Sequence, residues 1–117
     1  MRNVKTVPKT TKNEYITDAI GQTPLIKLSN ITRDMNSSFW AKYEGGNPGG
    51  SVKDRPVKYM IKEAEKSGEL SEGKTILEAS SGNTGIALAM IGSAKGYDVT
   101  IVMPENATEE RKSILKA

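Results

Sequence analysis

Asn47-Pro48-Gly49-Gly50-Ser51-Val52-Lys53-Asp54-Arg55 sets a lysine where a flexible turn runs into a helix. Asn47, Pro48, Gly49 and Gly50 are turn residues, and the two glycines can take the positive φ that other side chains resist. The Ser51 hydroxyl can accept a hydrogen bond from a backbone N–H as the chain enters the helix. Pro56 suits the first helical position, where its fixed φ is preorganised and no N–H is needed. The helix then runs from Pro56 to Lys66, with Val57, Met60, Ile61 and Ala64 on its apolar face, Lys58, Lys62, Glu63, Glu65 and Lys66 outward, and Gly68 as the C-terminal cap. Lys53 therefore lies beside the positive end of a helix dipole, on backbone open to a ligand. Both features favour a neutral, reactive amine.

Working outward, residues 14 to 20 predict a short helix, Leu25 to Leu28 a strand after the Thr23-Pro24 turn, and Phe39 to Glu44 a second strand. Downstream, Thr75 to Glu78 reads as a strand, Thr84 to Lys95 as a helix closed by Gly96, and Val99 to Val102 as a strand. A strand, helix and strand in succession imply a right-handed crossover and a parallel pair. Ser80-Ser81-Gly82-Asn83-Thr84 then falls between a strand and a helix, where free N–H groups and the dipole favour an anion. The carboxyl edge of an open α/β sheet is where ligands bind. Taken alone, Ser81, Asn83 or Thr84 reads better as a helix cap, and the pairing with the lysine motif is what favours the anion reading. Met90, Met103, Ile86 and Leu88 read as core. Asp54 and Arg55 read as structural partners around the turn, and Glu44 as support for the strand.

The chain has neither cysteine nor histidine, which removes thiol nucleophiles, imidazole bases, disulfides and zinc-finger patterns. With 36% hydrophobic residues and no apolar run of membrane-spanning length, the composition suits a soluble domain, and a cytoplasmic location is the default expectation. The net charge of +3 owes much to Arg2, Lys5, Lys9 and Lys12; the remainder holds 13 basic and 14 acidic residues, or −1. Without interleaved aromatics, that leading stretch reads as a flexible basic tail over residues 1–13, not as a nucleic-acid arm. A dinucleotide-binding half is disfavoured because no G-x-G-x-x-G follows a strand.

Three more segments accompany the lysine loop: Ile20-Gly21-Gln22-Thr23-Pro24-Leu25, Glu78-Ala79-Ser80-Ser81-Gly82-Asn83-Thr84-Gly85, and Val102-Met103-Pro104-Glu105. In this order the set resembles the β-family, or fold type II, of pyridoxal-phosphate enzymes, and within it the cysteine synthase (O-acetylserine sulfhydrylase) group, with cystathionine β-synthase as a near relative. The Ser-Val-Lys-Asp-Arg form, where threonine dehydratases and threonine synthases usually carry Ser-Phe-Lys, points to that group. The resemblance implies an α/β fold, a three-layer sandwich on a parallel sheet, with residues 14–117 as the N-terminal portion of a catalytic core. Proteins of this kind are roughly three times longer and have two domains. The chain stops within a helical stretch at Ile114-Leu115-Lys116-Ala117, so a truncated core with its C-terminal domain missing is expected.

The same resemblance implies pyridoxal 5'-phosphate as cofactor, held on Lys53 as a Schiff base, with Asn83 bonded to its phenolic oxygen. Ser80, Ser81, Gly82, Asn83 and Thr84 would receive the amino-acid carboxylate. The implied reaction is a β-replacement through an aminoacrylate, taking O-acetylserine and sulfide, or another thiol, to cysteine and acetate in a homodimer. Glu78-Ala79-Ser80 replaces the Glu-Pro-Thr or Glu-Pro-Ser of many relatives but keeps the hydroxyl. Glu44-Gly45-Gly46 is similar to the Glu-Gly-Asn of a branch associated with thiosulfate and other sulfur donors, which leaves the sulfur source open. A cystathionine β-synthase type of enzyme and a non-catalytic binding or assembly piece are the alternatives. Relatives draw their phosphate cup and their partner for the pyridine nitrogen from later sequence, so the isolated chain is expected not to turn over substrate unaided.

Overall fold

The computed structural model describes residues 12–116; the tail expected over residues 1–13 falls almost wholly outside them. A single 3-10 turn, Ile16–Ala19, stands where a short helix is expected. It is followed by β1 (Leu25–Lys27), β2 (Trp40–Lys42), a 3-10 turn at Glu44–Gly46, α1 (Asp54–Ser67), β3 (Thr75–Ala79), α2 (Asn83–Lys95), β4 (Asp98–Val102) and α3 (Glu109–Lys116). β1 pairs antiparallel with β2, Ile26 facing Ala41. β3 pairs parallel with β4, from Thr75 beside Asp98 to Ala79 beside Val102. The described strands thus form two separate two-stranded sheets.

α1 begins two residues before the expected start, so Pro56 is its third residue. A missing N–H costs nothing there either, because none of the first four N–H groups has an intrahelical acceptor. The helix ends at Gly68 with φ 80°, and α2 ends at Gly96 with φ 81°, the left-handed caps that glycine supplies without steric cost. Val57 and Ile61 are buried and Ala64 packs against the core, whereas Met60 remains exposed. α2 differs in kind. It is apolar on every side, as a helix enclosed by its neighbours must be.

The core lies where α1 packs on α2 and α2 on the β3–β4 pair: Ile20, Val57, Ile61, Leu70, Ala87, Leu88 and Ile91, flanked by Ile76, Met90, Val99 and Ile101. Burying one such aliphatic side chain contributes about 2 kcal/mol. Glu65 binds Lys95 Nζ at 2.8 Å and accepts from the Tyr97 hydroxyl at 3.0 Å, pinning the last turn of α1 to the C-terminal end of α2. The opposite face of the β3–β4 pair is uncovered, with Leu77 at 69% and Val102 at 55% exposure.

Gly85 and Gly92, two turns apart on α2, bring the helix axis close to the sheet. A Cβ at Gly92 would fall 2.4 Å from Val99 Cγ2 and 3.3 Å from Ile76 Cδ1. Val99 is β-branched and has little rotamer freedom to yield. Gly92→Ala is therefore expected to destabilise the chain by about 1–3 kcal/mol, and adding Val99→Ala should recover part of the loss. Denaturant unfolding of the two variants beside wild type checks this.

Candidate functional site

Lys53 stands at the N-cap of α1 with helical φ and ψ of −67° and −22°, its side chain exposed. The loop leading to it is held by its own polar groups. Gly50 N–H donates to Asn47 O at 2.8 Å, closing a turn in which Gly50 takes φ 78°. Lys53 N–H donates to Ser51 Oγ at 3.1 Å, the capping bond expected of that serine. Asn47, 4% exposed, is the hub. Its Nδ2 donates to Glu44 Oε2 at 2.9 Å, Glu44 O at 3.0 Å and Ser51 O at 2.9 Å, and its Oδ1 accepts from Gly21 N–H at 2.8 Å.

Around the hub closes an ionic fork. Arg55 donates from Nε to Glu44 Oε2 at 2.6 Å and from Nη2 to Glu44 Oε1 at 3.0 Å, and Nη2 also reaches Gly21 O at 2.9 Å and Thr23 Oγ1 at 3.1 Å. Thr23 in turn donates to Glu44 Oε1 at 2.8 Å, and Lys42 Nζ donates to Thr23 O. The Ile20–Leu25 segment and the lysine loop, separate in sequence, are thereby one bonded unit. Glu44 lies just beyond β2, so its role is to join loops instead of supporting the strand. Asp54 is fully buried and accepts from Gly49 N–H through Oδ2, while its Oδ1 has no partner. Burial pushes its carboxyl pKa up, against the opposing Gly49 bond.

Ser80 through Thr84 lie at the carboxyl end of β3 and the start of α2, with Asn83 and Thr84 as the first helical residues. Ser80 Oγ accepts from Gly85 N–H at 3.1 Å and from Gly82 N–H at 3.3 Å, so Ser80 is the internal cap of this helix. Among the described residues, the N–H groups of Asn83 and Thr84 find no acceptor. Ser81 is exposed, and its carbonyl accepts from Arg111 Nη1 at 2.7 Å. A concavity of about 490 Å³ at this edge is lined by Ala79, Ser80, Ser81, Val102, Met103 and Pro104, uniting the third and fourth motifs. A larger one, about 920 Å³, runs between α2, β4 and α3 past Ile86, Met90, Ile101 and Leu115, and reaches Pro48 and Gly49 of the lysine loop. Lys53 lines neither, and no described hydrogen bond joins it to residues 80–84. Leu88 is core, Met90 packs on it, and Ile86 and Met103 are half-buried.

The hub role of Asn47, the burial of Asp54 and the reach of Arg111 escape sequence reasoning. Asn in a turn and Asp after a lysine have solvated readings that the sequence cannot exclude. Arg111 is brought to Ser81 by α3, 30 residues away in sequence.

A lysine on a glycine-rich loop and an anion-ready helix start define a class, and residues 16–117 match the family of pyridoxal-phosphate dependent enzymes. The chain belongs to that family. It is 53% identical over 98 residues to cysteine synthase B of Salmonella typhimurium, covering 84% of this chain and 32% of that protein. Among solved structures, it superposes on O-acetylserine sulfhydrylase isoform 3 of Entamoeba histolytica with a TM-score of 0.88 and 41% identity, over 94% of this chain and 34% of that one. It also superposes on a hydrogen sulfide-producing enzyme of Fusobacterium nucleatum, with a TM-score of 0.85 and 44% identity, over 94% and 36%. The chain thus spans about a third of the length of these relatives.

The residues present fit pyridoxal phosphate. Lys53 offers an exposed primary amine to an aldehyde, outside every ion pair among the described residues. A Cβ at Gly50 or Gly82 would meet nothing within 4 Å, so both loops are open to a ligand. Asn83, exposed at the head of α2, adds an amide donor.

The bond from Arg55, helped by those from Thr23 and Asn47, outweighs desolvation and holds the Glu44 carboxyl at about 2, below its ordinary 4.5. A carboxyl depressed on folding contributes stability that is complete above pH 4.5 and disappears as pH falls through about 2. Glu65, lowered by Lys95, acts with the same sign, and buried Asp54 with the opposite one. Glu44→Gln should therefore be less stable than wild type at neutral pH, with the difference shrinking between pH 4.5 and about 2. Unfolding midpoints of both chains across that range measure it.

Proposed function

We propose that this chain supplies the reactive lysine and the carboxylate loop of a cysteine synthase, which replaces the acetoxy group of O-acetylserine by sulfide to give cysteine and acetate. The observation that carries this reading is the presentation of Lys53: a solvent-facing amine at a helix N-terminus, on a loop whose own polar groups are bonded to one another and to the first motif. The cofactor, when bound, supplies an electron sink for the pair left at the substrate α-carbon. Lys53 would hold the cofactor through its aldehyde, and as a free amine would be the base that takes the α-proton.

Asn83 donates to the phenolic oxygen of the cofactor. The exposed hydroxyl of Ser81, the hydroxyl of Thr84 and the N–H groups at the start of α2 receive the substrate carboxylate, with the helix dipole favouring its charge. Ser80, through its bonds to Gly82 and Gly85, shapes the loop that does this. Acetate departs from the β-carbon, hydrosulfide adds there, and the Lys53 ammonium would return the proton to the α-carbon, so cysteine and acetate form with no change of oxidation state. We assign residues 14–117 to the N-terminal portion of the catalytic core and residues 1–13 to a basic tail. We assign the working enzyme to the cytoplasm as a homodimer.

A visible absorption titration of the 117-residue chain with pyridoxal phosphate, beside Lys53→Ala, tests the assignment. A saturable band that Lys53→Ala lacks, and that O-acetylserine alters, is the expected result. Equal absorbance in the two chains would mean that the residues present do not form the Lys53 site without the later sequence from which relatives draw their phosphate cup.

A further inference from the structure

Asp54 follows Lys53 directly and is the first residue of α1. An acid at the head of a helix gains from the dipole while remaining in water, so that benefit gives it no reason to be buried. Yet Asp54 is 0% exposed, among the largest fully buried side chains of the chain, and its Oδ1 has no partner. Enclosing a carboxyl with one bonded oxygen is costly. The fold accepts that cost at a position where the side chain turns inward to the loop instead of outward to solvent.

Its target is Gly49. Asp54 Oδ2 accepts the Gly49 N–H, and the space a Gly49 side chain would use is filled by the carboxyl: a Cβ there would lie 2.3 Å from Oδ1 and 2.9 Å from Cγ. From the other side, Asn47 closes the turn by accepting from Gly50 N–H at 2.8 Å. Gly49 and Gly50 have the widest backbone freedom in this loop, and among the described residues the Asp54 carboxyl makes the bond that ties Gly49 to the helix that carries the lysine. We infer that Asp54 is a positioning residue for Lys53: its buried carboxyl, bonded to Gly49 from the first turn of α1, fixes the loop that presents the lysine amine. The inference rests on the reading of Lys53 as the reactive amine. Asp54 itself touches neither substrate nor cofactor.

Two readouts on the 117-residue chain test this: amide hydrogen exchange at Gly49 and Gly50, and the rate at which borohydride traps pyridoxal phosphate on Lys53 relative to exposed Lys62. In Asp54→Ala, exchange at the two glycines should rise about tenfold while Ala87 and Ile91 in α2 stay protected, and trapping at Lys53 but not Lys62 should slow by a similar factor. Asp54→Asn keeps an acceptor for the Gly49 N–H and should remain within about twofold of wild type in both readouts. Unchanged exchange at Gly49 in Asp54→Ala, or an Asn variant as loose as the Ala variant, overturns the inference. Should Asp54→Ala also lose protection in α2, Gly49→Ala displaces the carboxyl from the loop side and is expected to loosen Gly50 and slow the trapping at Lys53; no change in either would overturn the inference equally. Wild-type trapping no faster at Lys53 than at Lys62 would instead overturn the reading of Lys53, with exchange still deciding whether Asp54 anchors the loop.

Discussion

The fork between Arg55 and Glu44 is the constraint on which the lysine loop depends. Two N–H to oxygen bonds, at 2.6 and 3.0 Å, fix the guanidinium plane, and Nη2, which makes the second of them, also reaches the Gly21 carbonyl and the Thr23 hydroxyl. A planar guanidinium can do this where an ammonium cannot, because its donors diverge in a fixed fan. Asn47 completes the joint from the opposite direction, with Gly21 on one end of its amide and Glu44 and Ser51 on the other. Segments distant in sequence are locked together by charged and amide groups, while the apolar core lies mainly between α1, α2 and the β3–β4 pair.

That division of labour explains what could be read in advance. The apolar spacing of Val57, Ile61 and Ala64, the caps Gly68 and Gly96, and the short apolar runs of β3 and β4 are local signals, and the elements they mark are present within a residue or two. The 14–20 stretch shrinks to one 3-10 turn because only Ile20, just past its end, finds a core to enter. Phe39 to Glu44 keeps only Trp40–Lys42 as a strand, since Glu44 turns away to meet Arg55. The family was legible because its motifs are short loops at strand and helix ends, where residue type is dictated by backbone geometry. The bonds among those motifs were not legible, since they depend on which loops the tertiary fold brings together.

The two loops also differ in how their polar groups are spent. In the lysine loop the polar groups bond to one another while the Lys53 side chain is exposed, whereas in the 80–84 loop Ser80 takes the Gly82 and Gly85 N–H groups and leaves those of Asn83 and Thr84 without an acceptor among the described residues. The first arrangement holds in place the residue proposed as the reactive amine. The second leaves donors for a ligand that brings its own charge.

Ser80 gives that second arrangement a selectivity. Its hydroxyl oxygen occupies the Gly82 and Gly85 N–H groups, so a visiting ligand must either settle for Asn83 and Thr84 or evict a resident that is tethered by its own backbone and loses no translational freedom by staying. A neutral oxygen offers bonds no better than those the serine already makes. A carboxylate forms charge-assisted bonds about twice as strong and adds the pull of the α2 dipole. On the proposed reading of this loop as a carboxylate site, ionic ligands are favoured over alcohols and amides of the same size.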